Sequence, residues 1–176
     1  MTSHTISVLV ENEFGVLARV AGLFSGRGFN IESLTVNEDP LDPTVSRIVL
    51  VTTGDDQIVE QINKQLNKLV SVIKITDFKD VETIDREMVI VKVAVDERTR
   101  GELDSIVQAF RAHVIDIGPR AVTVEVTGDS EKIKAFISIV RPLGIKEVVR
   151  SGKVAMPRAV QANNENSHGR RSRASD

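Results

Sequence analysis

Few residues in this chain could do covalent or metal chemistry, and their spacing argues against it. There is no cysteine, which excludes disulfides, thiolate metal sites and cysteine nucleophiles. Three histidines, His4, His113 and His168, lie far apart. None is spaced with Asp or Glu as a metal site requires, and His113 heads a predicted strand, where a surface role is expected. Catalytic residues and metal ligands are therefore expected to be absent. Ligand chemistry is concentrated in one turn, Asn12-Glu13-Phe14-Gly15, between a predicted strand and the N-terminus of a predicted helix. Free backbone N–H groups and the helix dipole there favour an anion, a phosphate or a carboxylate. Gly15 lets the backbone approach a ligand, and Asn12 offers both donor and acceptor. Locally, the same residues are also explained by Asn12 capping the helix and Gly15 relieving a tight turn. Glu11, Glu13 and Glu32 read as a solvated rim. Gly26-Arg27-Gly28 follows a helix instead of opening one, so it is no dinucleotide fingerprint.

The elements that position this turn follow from periodicity. Ile6, Val8 and Val10 alternate with Ser7, Leu9 and Glu11 as in a strand. Val16, Leu17, Val20 and Phe24 recur at helical spacing, and Gly26 and Gly28 end that helix. A strand over 30–37, an acidic loop bracketed by Pro40 and Pro43, and a strand over 46–53 follow. Gly54-Asp55-Asp56 makes a turn and supplies a helix cap; Ile58, Ile62, Leu66 and Leu69 mark the helix, and residues 70–76 a fourth strand. The second half repeats this order after a polar linker, 79–85. A strand over 87–95 leads to Thr99-Arg100-Gly101-Glu102, which fits a capping box. A helix through Leu103, Ile106, Val107 and Phe110 follows, then strands over 113–117 and 121–126. Gly128-Asp129 opens a helix carrying Ile133, Phe136 and Val140, and a strand over 144–150 closes the unit.

Two consecutive βαββαβ units predict an α+β protein of two ferredoxin-like domains, each a four-stranded antiparallel sheet with two helices on one face. The expected divisions are 4–78, a linker at 79–85, 86–156, and a disordered tail over 157–176, whose composition cannot fill a core. Leu9, Val49 and Val51 would make the second sheet face apolar, which predicts pairing through sheets or edges into a dimer. The 176 residues carry a formal charge of −2. Acidic residues outnumber basic ones in the first half, and the phenylalanines avoid strand centres, so base stacking and nucleic-acid binding are disfavoured. No apolar run approaches the roughly 20 residues of a membrane span. MTSHTISVLVENE lacks a signal-peptide pattern, so a cytoplasmic location is expected.

The stretch ENEFGVLARVAGLFSGRGFNIESLTV, with Ser46-Arg47 and QINKQLNKLVSVIKI, resembles the regulatory (small) subunit of acetohydroxyacid synthase, or acetolactate synthase, with its N-terminal ACT domain. The resemblance continues through REMVIVKV, Ile115-Asp116-Ile117 and Val148-Val149-Arg150-Ser151-Gly152, covering residues 4–156. It implies a non-catalytic chain without cofactors of its own; thiamine diphosphate, magnesium and FAD are expected on a separate large subunit. That partner condenses two pyruvates to acetolactate, or pyruvate with 2-oxobutyrate. The resemblance further implies that this chain raises the large subunit's activity and confers feedback inhibition by a branched-chain amino acid, usually valine, bound between the ACT domains of a homodimer. The implied effector residues are Asn12, Gly15, Val16 and Leu17, with Asn30 and Ile31 approaching from the partner chain. Phe14 stands where relatives carry a smaller residue, so a reshaped pocket mouth is expected. A free-standing ACT-domain sensor acting on another enzyme is the alternative.

Overall fold

A computed structural model describes residues 2–159. Contacts divide the chain into two units, one formed by 36–84 with the chain before Ser33, the other by Ser33–Thr35 with Asp85–Val154. The first contains β1 (Thr2–Glu11), α1 (Val16–Ser25), β2 (Ile31–Asp39), β3 (Asp42–Gly54), α2 (Asp56–Leu66) and β4 (Val72–Asp77). Its sheet has the order β2-β3-β1-β4. β1 is antiparallel to β3, with Ile6 opposite Leu50 and Val8 opposite Ile48, and antiparallel to β4, with Val8 opposite Ile75. Ile6, Val8, Val20, Phe24, Ile48 and Leu50 are buried between sheet and helices; burying each such side chain is worth about 1.5–3 kcal/mol.

The second unit repeats the pattern with β5 (Thr83–Ala94), α3 (Thr99–Ala109), β6 (His113–Ile117), β7 (Ala121–Gly128), α4 (Ser130–Gly144) and β8 (Ile145–Arg150). The order is β6-β7-β5-β8, the same ferredoxin-like arrangement. Val89, Val91 and Val93 face Leu103, Ile133 and Phe136 in its core, and Phe110 meets the Phe136 ring edge-on. Both halves use the same device to start their second helix. Asp55 accepts the Ile58 N–H at 2.9 Å and Asp129 accepts the Lys132 N–H at 2.8 Å. The glycine before each aspartate permits this close turn, because a Cβ on Gly54 would lie 2.9 Å from Ile58 and one on Gly128 2.5 Å from Lys132.

Four local expectations change. The acidic loop between the prolines is a two-residue turn at Pro40-Leu41, with Pro43 already in β3; the Asp39 carboxylate accepts the Leu41 N–H and Asp42 that of Thr44. The capping box at Thr99 is not formed. The helix starts one residue early, and Asp96 Oδ1 accepts the N–H groups of both Arg98 and Thr99. The expected linker is shorter, since β5 begins at Thr83, and a ninth strand, β9 (Val154–Pro157), pairs with β5. Finally, Val49 and Val51 are buried within the single chain, so they supply no wet face that pairing must cover. The expected tail beyond Ala159 lies outside the described residues.

Candidate functional site

The β1–α1 turn is fastened on both sides. Asn12 N–H donates to Thr44 O at 2.7 Å, and Asn12 Nδ2 donates to Pro43 O at 3.0 Å and Glu38 Oε2 at 3.3 Å. Glu11 N–H donates to Ser71 O. Asn12 thus holds the turn against the start of β3 and does not cap α1. Gly15 occupies the N-cap with φ +81°, a left-handed conformation that suits glycine, and no side chain caps the helix. Val16 N–H reaches Glu13 O only at 3.4 Å. The positive end of α1 is therefore left to solvent at a place where the backbone has no Cβ in the way.

Arg19, which sequence reasoning passed over, completes the turn. One guanidinium nitrogen donates to the buried Ser71 Oγ at 3.2 Å and another to Phe14 O at 3.4 Å. The available signal was its position one helical turn after Gly15. The arginine locks the Phe14 carbonyl and adds positive charge beside the helix start, since a Cβ on Gly15 would lie 3.9 Å from its Nη2.

The six sequence-chosen residues do not all meet. Asn12, Gly15, Val16 and Leu17 share the turn; Val16 is buried in the core and Leu17 is 42% exposed. Asn30 and Ile31 lie at the other end of the sheet, where Thr52 Oγ1 donates to Asn30 O at 2.7 Å. From Thr52 to Thr44, beside Asn12, β3 runs eight residues, about 26 Å of strand. One chain cannot place both asparagines on one small ligand. Phe14 is fully exposed, so it forms no wall of a pocket within this chain.

The electrostatics of the unit are those of solvated pairs. The Asp42 carboxyl is held below its ordinary value by the Thr44 hydroxyl and N–H. Asp56 is likewise held low by its bond to Lys79 at 2.7 Å. Among the described residues, no group of three or more His, Asp or Glu is arranged to hold a metal ion, and no helix is long and apolar enough to cross a membrane.

Comparison with known proteins agrees with the geometry. A family model for the ACT domain of acetohydroxyacid synthase small subunits matches residues 6–74, and one for the small subunit of acetolactate synthase matches residues 86–159. A probable acetolactate synthase small subunit of Methanothermobacter thermautotrophicus is 51% identical over 157 residues, 89% of this chain and 93% of that protein. The acetolactate synthase small subunit of Aquifex aeolicus is 44% identical over 163 residues, 92% of this chain and 84% of that one. The crystal structure of the Thermotoga maritima small subunit superposes with a TM-score of 0.79 at 40% identity, covering 90% of this chain and 98% of that one.

Proposed function

The chain belongs to the acetolactate synthase small-subunit family, and from that premise we propose that it activates a catalytic large subunit and makes it sensitive to valine or another branched-chain amino acid. The uncapped helix start at Gly15 is the observation that carries the effector half of this reading. An amino acid's carboxylate suits the N–H groups and positive dipole of α1, reinforced by Arg19. Its ammonium suits the amide oxygen of Asn12 or Asn30, and Leu17 and Ile31 offer apolar contact to a branched side chain.

The distance between Asn12 and Asn30 favours a site completed by a second copy, which gives the homodimer a function: each effector would bridge the turn of one protomer and the Asn30 end of the other. Thiamine diphosphate, magnesium and FAD belong, in this proposal, to the large subunit, and the complex is cytoplasmic. Inhibition then requires that the effector bind the inhibited arrangement of the complex better than the active one, a coupling of about 1–3 kcal/mol in typical cases.

An acetolactate assay of the large subunit, with and without this chain and then with valine, tests both halves. Stimulation that valine reverses supports them. Stimulation that no branched-chain amino acid reverses removes the effector site. No stimulation favours a free-standing sensor.

A further inference from the structure

The sheet of the second unit ends on one side in β6, and all five of its residues are exposed. Among the described residues β7 is its only neighbour in the sheet, so the backbone groups on its outer edge have no strand to pair with. Edge strands are ordinarily blunted by lysine, proline, charge or a bulge. The opposite edge follows that rule with charge, since β8 carries Lys146, Glu147 and Arg150. β6 holds neither lysine nor proline, and three of its side chains are apolar and open to solvent: Val114 at 36%, Ile115 at 50% and Ile117 at 67%. Its two polar residues are placed by an irregularity. His113 lies opposite Glu125, Val114 opposite Val124, Asp116 opposite Thr123 and Ile117 opposite Val122, which leaves Ile115 as an extra residue. Val122 and Val124 belong to the core, so Val114 and Ile117 share the helix-covered face. His113 and Asp116 therefore share the other face, although a regular strand would point residues three apart to opposite sides.

We infer that two copies of this chain join β6 to β6, antiparallel, about a two-fold axis at the Val114–Ile115 bulge, with each His113 facing the partner's Asp116. The axis follows from the faces. Opposed residues of an antiparallel pair point to the same side, so the axis must pass through a position that faces its own copy. At His113 or at Asp116 it would set like polar side chains against each other. At Ile117 it would leave most of β6 unpaired. At the bulge it sets an imidazole N–H against a carboxylate twice and brings together Val114 and Ile115 of both copies. The bulge also selects the occupant. A regular strand of another protein would not match it, whereas a second copy carries the same bulge at the same position. The contact lies in the other unit from the effector turn, and it goes beyond the regulatory reading without depending on it.

The chain has no cysteine of its own, which makes cross-linking a direct test. Full-length His113→Cys and Asp116→Cys chains are produced separately and co-expressed, oxidised mildly and run on a non-reducing gel. Directly opposed Cα atoms lie about 4.5–5.5 Å apart, within reach of a disulfide, whereas two copies of either position would lie beyond its limit of roughly 7 Å. Both side chains are exposed, so the thermal midpoints should match that of the parent chain. The co-expressed pair should give a cross-linked dimer that neither variant gives alone. Adding Ile115→Lys to both chains, which sets like charges at the axis, should abolish it. No cross-link in the co-expressed pair would overturn the pairing, and a cross-link that survives Ile115→Lys would overturn it as chance collision. A dimer formed by either variant alone would place the axis elsewhere and overturn the register. No large subunit or amino acid enters the experiment, so its failure is distinguishable from failure of the stimulation assay.

Discussion

The two βαββαβ units have the same strand order, and even the irregularity where the central strand meets the last one falls alike, between Leu9 and Val10 and between Lys92 and Val93. They part at the start of their first helices. In the second unit Asp96 turns its carboxylate onto the N–H groups of Arg98 and Thr99, so the positive end of α3 is satisfied from within. In the first unit the corresponding turn ends in a left-handed glycine with no capping side chain. The same architecture thus satisfies one helix start with its own side chain and leaves the other open, where the proposed effector's carboxylate would bind. Burial and topology would not reveal this difference; the side chains of two short turns carry it.

The largest effect is expected from giving the first turn the second turn's solution. Gly15→Asp places a carboxylate where the effector's own carboxylate is proposed to bind. Valine affinity, measured by calorimetry, should fall at least about tenfold. Gly15→Asn separates charge from backbone strain, because Asn and Asp tolerate the left-handed region comparably. It should lose clearly less affinity, and equal losses for the two variants would argue that the turn recognises shape instead of charge. A smaller loss is expected for Asn30→Ala, which would remove the contact proposed from the far end of the sheet and should leave stimulation of a large subunit intact. Mixing Asn30→Ala with Gly15→Asp protomers tests whether the site spans two chains. In a mixed dimer one site carries both lesions and the other neither, so one site per dimer should regain parental affinity.

Most of this comparison was legible in the sequence, for identifiable reasons. Alternation in Ile6–Val10 and in Val89–Val95, and the helical repeats between, set the order of elements because each burial pattern has a single period. The Asp55 and Asp129 caps were readable because each follows a glycine and precedes an apolar helical repeat. The capping box at Thr99 was misread because its motif also fits a helix that begins one residue earlier, with Asp96 supplying the acceptor. β9 was missed because Val154–Pro157 is too short to show a period, and the burial of Val49 and Val51 because alternation says nothing about what covers a sheet's second face. Asn12 and Gly15 were singled out by type and position and the remaining proposed effector residues by the family resemblance, yet the separation of the set across the sheet emerges only from strand register.

A further difference lies inside the two cores. His4 faces Thr52 across β1 and β3, where the second unit places Val89 opposite Val126. Thr52 Oγ1 is satisfied by Asn30 O, but the buried His4 Nε2 has no hydrogen-bond partner. An unpaired buried polar atom costs free energy that an apolar side chain of similar size would not. His4→Leu, which makes the first core more like the second, should therefore stabilise the chain by about 1 kcal/mol, read as a higher thermal midpoint. A lower midpoint would show that the ring fills its site better than leucine can.

The smallest effect concerns the turn that is already closed. Hydrogen bonds from the Thr99 N–H, the Thr99 hydroxyl and the Arg98 N–H hold the Asp96 carboxyl below its ordinary value of 3.8. A carboxyl depressed in the folded chain stabilises the fold fully above its unfolded value, and that contribution disappears as pH falls through the folded value. Asp96→Asn keeps an acceptor oxygen and removes the charge. Its thermal midpoint should lie slightly below that of the parent chain near neutrality, and the gap should close as the pH drops below 3.8. Valine binding, proposed to lie at the other turn, should not differ between the two proteins at neutral pH. If Asp96→Asn altered valine affinity, the second helix start would be coupled to the effector after all, and the division of labour between an occupied and an open helix terminus would fail. If the gap in midpoint persisted into acid, the aspartate's contribution would be geometric, and charge at a helix start would be a poor guide to what the open turn recognises.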